Sequence, residues 1–174
     1  MKLLKIPSLL LAGMIITSCQ STTKKQEGTK AYEKGTFGYD LNFLNENDSI
    51  VVLKNDDGSA QLALSPKYQA KVFTSTAEGL DGKSFGWVNY KAFGKPLDPH
   101  MNAYGGEDRL WLGPEGGKFS LYFKPGDSMV FKNWRTPAGI DSESWTLLKS
   151  DGKKATLNKE MELQNYAGTN LKIK

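Results

Sequence analysis

The sequence predicts an all-β fold built from antiparallel strands. Eighteen Gly and seven Pro interrupt helices at short intervals, and aromatic residues at 11% suit pleated surfaces. Short alternating or β-branched runs recur between turn signals. At 174 residues, with 39% hydrophobic and 24% charged, the chain suits one domain with its own core.

Residues 1–18 read as an export signal. Lys2 and Lys5 form a positive n-region, Ile6 to Ile16 an apolar h-region, and Thr17 and Ser18 lead to the single cysteine. The h-region is shorter than the roughly 20 apolar residues that span a bilayer. Ile16-Thr17-Ser18-Cys19 resembles a bacterial lipobox, which implies cleavage before Cys19 and its lipidation; the alternative is an ordinary secreted protein with an unpaired thiol. Residues 19–35 are Gln, Ser, Thr, Lys, Glu and Gly with almost nothing apolar, a composition expected to form a disordered tether. Gln20 after the cysteine, with no acidic run behind it, points to a lipid anchor in the outer membrane facing the periplasm.

Residues 36–174 form the expected folded domain. Tyr39 to Asn47 reads as one short helix with Asp40 as its N-cap. Ser49 to Lys54, the turn Asn55-Asp56-Asp57-Gly58 and the alternating Ser59 to Ser65 predict a hairpin. Tyr68 to Thr76 and Phe85 to Tyr90 follow as strands, and Glu107 to Gly113 pairs with Lys118 to Phe123 across Glu115-Gly116-Gly117. Trp134 to Ile140, with Pro137 and Gly139, reads as loop. Glu143 to Lys149, Lys154 to Lys159, Met161 to Tyr166 and Asn170 to Lys174 complete the strands. The last has just begun its alternation at Leu171 and Ile173 when the sequence stops, so the domain is expected to be truncated at its C-terminus.

Charge excludes a nucleic-acid footprint. The chain has 23 basic and 19 acidic residues, and the excess shrinks to two once Lys2 and Lys5 leave with the signal. One histidine leaves little material for a His-based metal cluster or a Ser-His-Asp arrangement, and no glycine motif of the phosphate-cradling kinds occurs. No cofactor or metal is expected.

The chemistry concentrates in Asn102 to Phe119. Read as a strand, Glu107 to Gly113 puts Glu107, Arg109 and Trp111 on one face and Asp108, Leu110 and Leu112 on the other. Guanidinium beside indole suits a pyranose, whose C–H face stacks on the ring while its hydroxyls bond to Arg and carboxylate. Glu115 and His100 are outer candidates, and Gly105-Gly106 and Gly116-Gly117 let the backbone turn sharply or approach a ligand. The structural alternative pairs Arg109 with Glu107 or Glu115 to close a hairpin, with Trp111 in the core.

The run Gly105-Gly106-Glu107-Asp108-Arg109-Leu110-Trp111-Leu112-Gly113-Pro114-Glu115 resembles a signature of bacterial lipoproteins related to the aldose 1-epimerase, or galactose mutarotase-like, superfamily. Tyr39-Asp40-Leu41 and Ser84-Phe85-Gly86-Trp87 extend the resemblance over the chain after about Thr36. It implies an antiparallel β-sandwich, the N-terminal portion of a mutarotase-like supersandwich, with Arg109 contributing to sugar binding. The superfamily's catalytic His and Glu lie on later strands, so the resemblance implies a non-catalytic carbohydrate-binding domain whose ligand is a mono- or oligosaccharide. Two alternatives stay open: an epimerase-like enzyme completed by a missing C-terminal half, and a structural envelope lipoprotein without a sugar ligand.

Overall fold

The computed structural model describes residues 30–174; the expected signal segment, Cys19 and the expected tether up to residue 29 lie outside them. Among the described residues, regular structure is mostly antiparallel strand with few helices, an all-β arrangement.

Helix α1 spans Phe37–Asn47 and starts before the expected Asp40. Thr36 is the N-cap, its Oγ1 accepting from Tyr39 N–H at 3.3 Å. Asp40 instead sits buried in the first turn, where the helix dipole favours its charge, and accepts from the Ser84 and Tyr90 hydroxyls. The chain is tied down earlier than its composition suggests. Lys30 Nζ lies 2.8 Å from an Asp81 carboxylate oxygen, and Ser84 N–H donates to Gly35 O at 2.9 Å, so residues 30–35 belong to the folded unit rather than to a tether.

Strands β1 (Val51–Lys54), β2 (Gln61–Ser65) and β3 (Lys71–Thr76) form one sheet in that order, with a register shift between Ala63 and Leu64. The β1–β2 hairpin turns where Asn55 to Gly58 predict it, and Gly58 adopts φ 75°. Phe37 and Leu44, two helical turns apart, bury against Ala63, Phe73, Val88, Phe93 and Tyr104. Phe73, Phe93, Tyr68 and Tyr104 meet mainly edge to face, at centroid distances of 4.7–6.2 Å. Burying each such ring contributes about 1.5–3 kcal/mol, which makes this cluster the mechanical base of the domain.

Beyond β3 the chain departs from the expected strands. Phe85 to Tyr90 makes one bridge, Val88 with Gly105, before the 3-10 turn Tyr90–Ala92. Glu107 to Gly113 makes one bridge, Asp108 with Val72, and does not pair with Lys118 to Phe123. The carbonyls of Lys118 and Ser120 instead accept from Ala167 and Tyr166 N–H at 2.8 and 2.7 Å. Backbone groups that local pattern assigns to a hairpin are thus taken by a turn far along the chain. Helix α2 (Ala138–Asp141) lies where a loop was expected, and Gly139 lets Met161 pack against it, since a side chain there would collide with the thioether.

The C-terminal hairpins follow the alternation. β4 (Thr146–Ser150) pairs with β5 (Ala155–Asn158), and β6 (Met161–Gln164) with β7 (Asn170–Ile173). Lys54 N–H donates to Gly152 O at 2.9 Å and Trp145 N–H to Pro66 O at 2.8 Å, joining β4–β5 to the first sheet. No described helix is long and apolar enough to cross a membrane.

Candidate functional site

Arg109 and Trp111 stay neighbours without a strand to hold them. The guanidinium lies 4.3 Å from the centroid of the indole, a cation–π stack. Behind it a column of rings continues, Trp111 on Tyr122 at 5.3 Å and Tyr122 on Trp134 at 4.4 Å. Burial, with the Glu115 carboxylate nearby, pushes the Tyr122 phenol up to about 12. Its hydroxyl donates to Leu112 O at 2.5 Å, which fixes the column to the loop.

The partner of Arg109 is neither Glu107 nor Glu115. It faces Asp141 on α2, with Nη1 3.6 Å from Oδ1, and donates to Ile140 O at 3.5 Å. Glu107 turns away from Arg109, accepting from Ser75 N–H at 2.6 Å and from the Ser75 hydroxyl at 2.9 Å. Glu115 accepts from Trp111 Nε1 at 2.9 Å, so it orients the indole. His100 is held by Asp98, Nδ1 to Oδ1 at 3.1 Å, and stacks on Phe131 at 5.0 Å. Among the described residues no hydrogen bond joins it to Arg109, Trp111 or Glu107. Of the five expected site residues, Arg109, Trp111 and Glu115 form one linked group, and Glu107 and His100 have other partners.

Asp141 is the hub that sequence reasoning missed. It is 4% exposed and accepts from Gln69 Nε2 at 2.8 Å, from Asn102 Nδ2 at 2.7 Å and from Asn102 N–H at 3.1 Å. Gln69 and the following Ala70 adopt left-handed backbone, φ 65° and 46°, at about 1–2 kcal/mol each for residues with a side chain, and Gln69 reaches Asp141 from it. Gln69 Oε1 is buried with no hydrogen-bond partner. Burial lowers the Arg109 pKa while Asp141 opposes that, and the guanidinium stays charged.

Lys71, the first residue of β3, lies beside them. Its ammonium donates to Gly105 O. Burial foremost, and then the nearby Arg109 charge, hold its pKa down at about 8, with Asp141 working the other way. The Gly105-Gly106 pair does permit a close approach, but of protein: a side chain on Gly106 would strike the Lys71 stem, and one on Gly105 the Trp87 carbonyl. Both glycines have positive φ.

These groups surround a cavity of about 350 Å³ lined by Lys71, Trp87, Asn102, Glu107, Asp108 and Arg109 among others. Trp87 is 65% exposed and also borders a cavity of about 490 Å³ containing Asp40 and Tyr90. A third cavity, about 450 Å³ along β1 to β3, is lined by Leu53, Leu62 and Lys153 and shares none of the Arg109 group. Among the described residues no three His, Cys, Asp or Glu side chains gather as metal ligands.

Residues 35–174 match a family of unknown function, DUF6786, so the chain belongs to that family. Comparison with curated proteins and with solved structures found no match.

Proposed function

We propose that this domain binds a carbohydrate in the cleft between Trp87 and Arg109. The observation that carries the reading is an exposed indole beside a cavity whose wall holds a guanidinium braced by Asp141 and Trp111. An exposed Trp face supplies a platform for sugar C–H groups, and the fixed guanidinium supplies directional donors to hydroxyls. Asp108, exposed on the cavity wall, supplies an acceptor. The glycine-flanked Arg109-Trp111 run supports a further reading, that these strands form the N-terminal portion of a mutarotase-like sandwich in a non-catalytic protein. The leader and Cys19 support placement on a lipid anchor at the cell envelope.

Titrating the full chain with galactose, glucose and their oligosaccharides, read by calorimetry and tryptophan fluorescence, tests binding. At least one sugar should saturate, and Trp87→Ala should weaken it about tenfold, roughly 1.4 kcal/mol, at unchanged melting temperature. A flat response to every sugar would overturn the reading. For the anchor, fatty-acid labelling should depend on Cys19 and vanish in Cys19→Ala; an unlabelled parent protein excludes lipidation.

A further inference from the structure

Lys71 is 5% exposed, yet no carboxylate oxygen lies within ion-pairing distance of its ammonium among the described residues. Its one hydrogen bond goes to the Gly105 carbonyl, and the ammonium also sits 5.6 Å from the Phe73 ring centroid. An ammonium carries three donors, and a buried charge without a counter-charge is costly.

Two of the carboxylates nearby are committed elsewhere. Asp141 is taken up by Gln69, by both nitrogens of Asn102 and by Arg109. Glu107 is turned to Ser75, accepting from its backbone and its hydroxyl. Asp108 is exposed, and its backbone bridges Val72. Lys71 and Arg109 thus line the same cavity, with Glu107 and the exposed Asp108 also on its wall, and Arg109 already has Asp141 as its counter-charge while Lys71 has none within ion-pairing distance. The Gly105-Gly106 pair keeps this arrangement in place, because any side chain at Gly106 would displace the Lys71 stem.

We infer that the ligand of this site is an acidic sugar, one carrying a carboxylate or a sulfate, whose anionic group lies between the Lys71 ammonium and the Arg109 guanidinium. The inference rests on the carbohydrate reading and deepens it. The anion gives the buried Lys71 ammonium the close counter-charge that the protein does not supply, and charge-assisted bonds to two fixed cations are the strong kind. The pyranose then extends toward Trp87 at the mouth. A carboxylate suits the planar Arg109 fork, whereas a sulfate presents more acceptors to Lys71.

The test is a calorimetric titration of the full chain with D-galacturonate, D-galactose 6-sulfate and D-galactose, repeated for Lys71→Met and Lys71→Gln. At least one acidic sugar should bind tenfold or more tighter than galactose. In both variants the acidic sugar should bind no tighter than galactose. The better of the two acidic sugars identifies the anion. Equal affinity for acidic and neutral sugars would overturn the acidic ligand and leave carbohydrate binding standing. A preference that survives in folded Lys71→Met and Lys71→Gln would overturn the role of Lys71. Silence toward all three sugars would overturn the inference together with the reading beneath it.

Discussion

The apolar cluster beneath α1 and the polar cluster around Asp141 fill the interior by opposite means. The first buries rings and aliphatic chains, Phe37, Leu44, Phe73, Phe93 and Tyr104, with Tyr68 meeting Phe73, Phe93 and Tyr104 edge to face. The second buries charge and amide: Asp141, Gln69, Asn102 and Lys71 are all under 9% exposed. An apolar core is held by area and shape, so its loss is graded with volume. A polar interior is held by completeness, since each partner removed strands another in low dielectric. Only the second kind of interior leaves groups such as Lys71 and Gln69 Oε1 with bonding capacity to offer a ligand.

The largest effect is expected in the apolar core. Phe73→Ala, at a fully buried ring, should cost about 3–5 kcal/mol and lower the midpoint of chemical denaturation with the slope unchanged. A loss below about 1 kcal/mol would mean that the aromatic cluster is not the base of the fold. Asp141→Ala should cost about 3 kcal/mol although it removes almost no apolar area, because Arg109 and the Asn102 and Gln69 donors lose their acceptor. It should also abolish sugar binding, which Phe73→Leu should leave intact.

Lys71 makes the polar interior sensitive to pH. Its folded pKa of about 8 lies below the ordinary 10.5, so between those values the unfolded chain holds a proton that the folded one has released. Stability contributed at this position therefore rises with pH across that window, and the cost of the buried ammonium is fully present below about 8. Lys71→Met should be the more stable form at pH 7, by up to about 3 kcal/mol, and the gap should close as pH approaches 10.5. Denaturation of both forms across that range checks the sign; a gap that widens with pH would contradict it. The smallest effect belongs to Glu115→Gln, which keeps an acceptor for Trp111 Nε1 at an exposed position and should change stability by less than about 0.5 kcal/mol.

Local pattern served the elements whose partners lie nearby. The β1–β2, β4–β5 and β6–β7 hairpins each join runs separated by a glycine-bearing turn, Gly58, Gly152 and Gly168, all at positive φ. The helix was legible too, but its cap was misplaced. Asp40 is a good capping residue in isolation, while the actual start at Thr36 depends on Phe37 and Gly38 N–H finding the Gly82 and Leu80 carbonyls. The Glu107 to Gly113 strand failed for a related reason. Its alternation is genuine, and Arg109 and Trp111 do lie together, but its ladder partner was assumed to be the next alternating run. That run bonds to Tyr166 and Ala167 instead.

The all-β character, the three short hairpins and the pairing of guanidinium with indole follow from local sequence, because each depends on contacts a few residues apart. Tertiary structure alone decided that Arg109 answers to Asp141, that Glu107 belongs to Ser75, and that Lys71 and Trp87 line the same cavity. Those partners lie many residues away along irregular chain, where no periodicity constrains the path. What brings them together is the requirement that buried polar groups find one another, which can be satisfied only once the chain has folded.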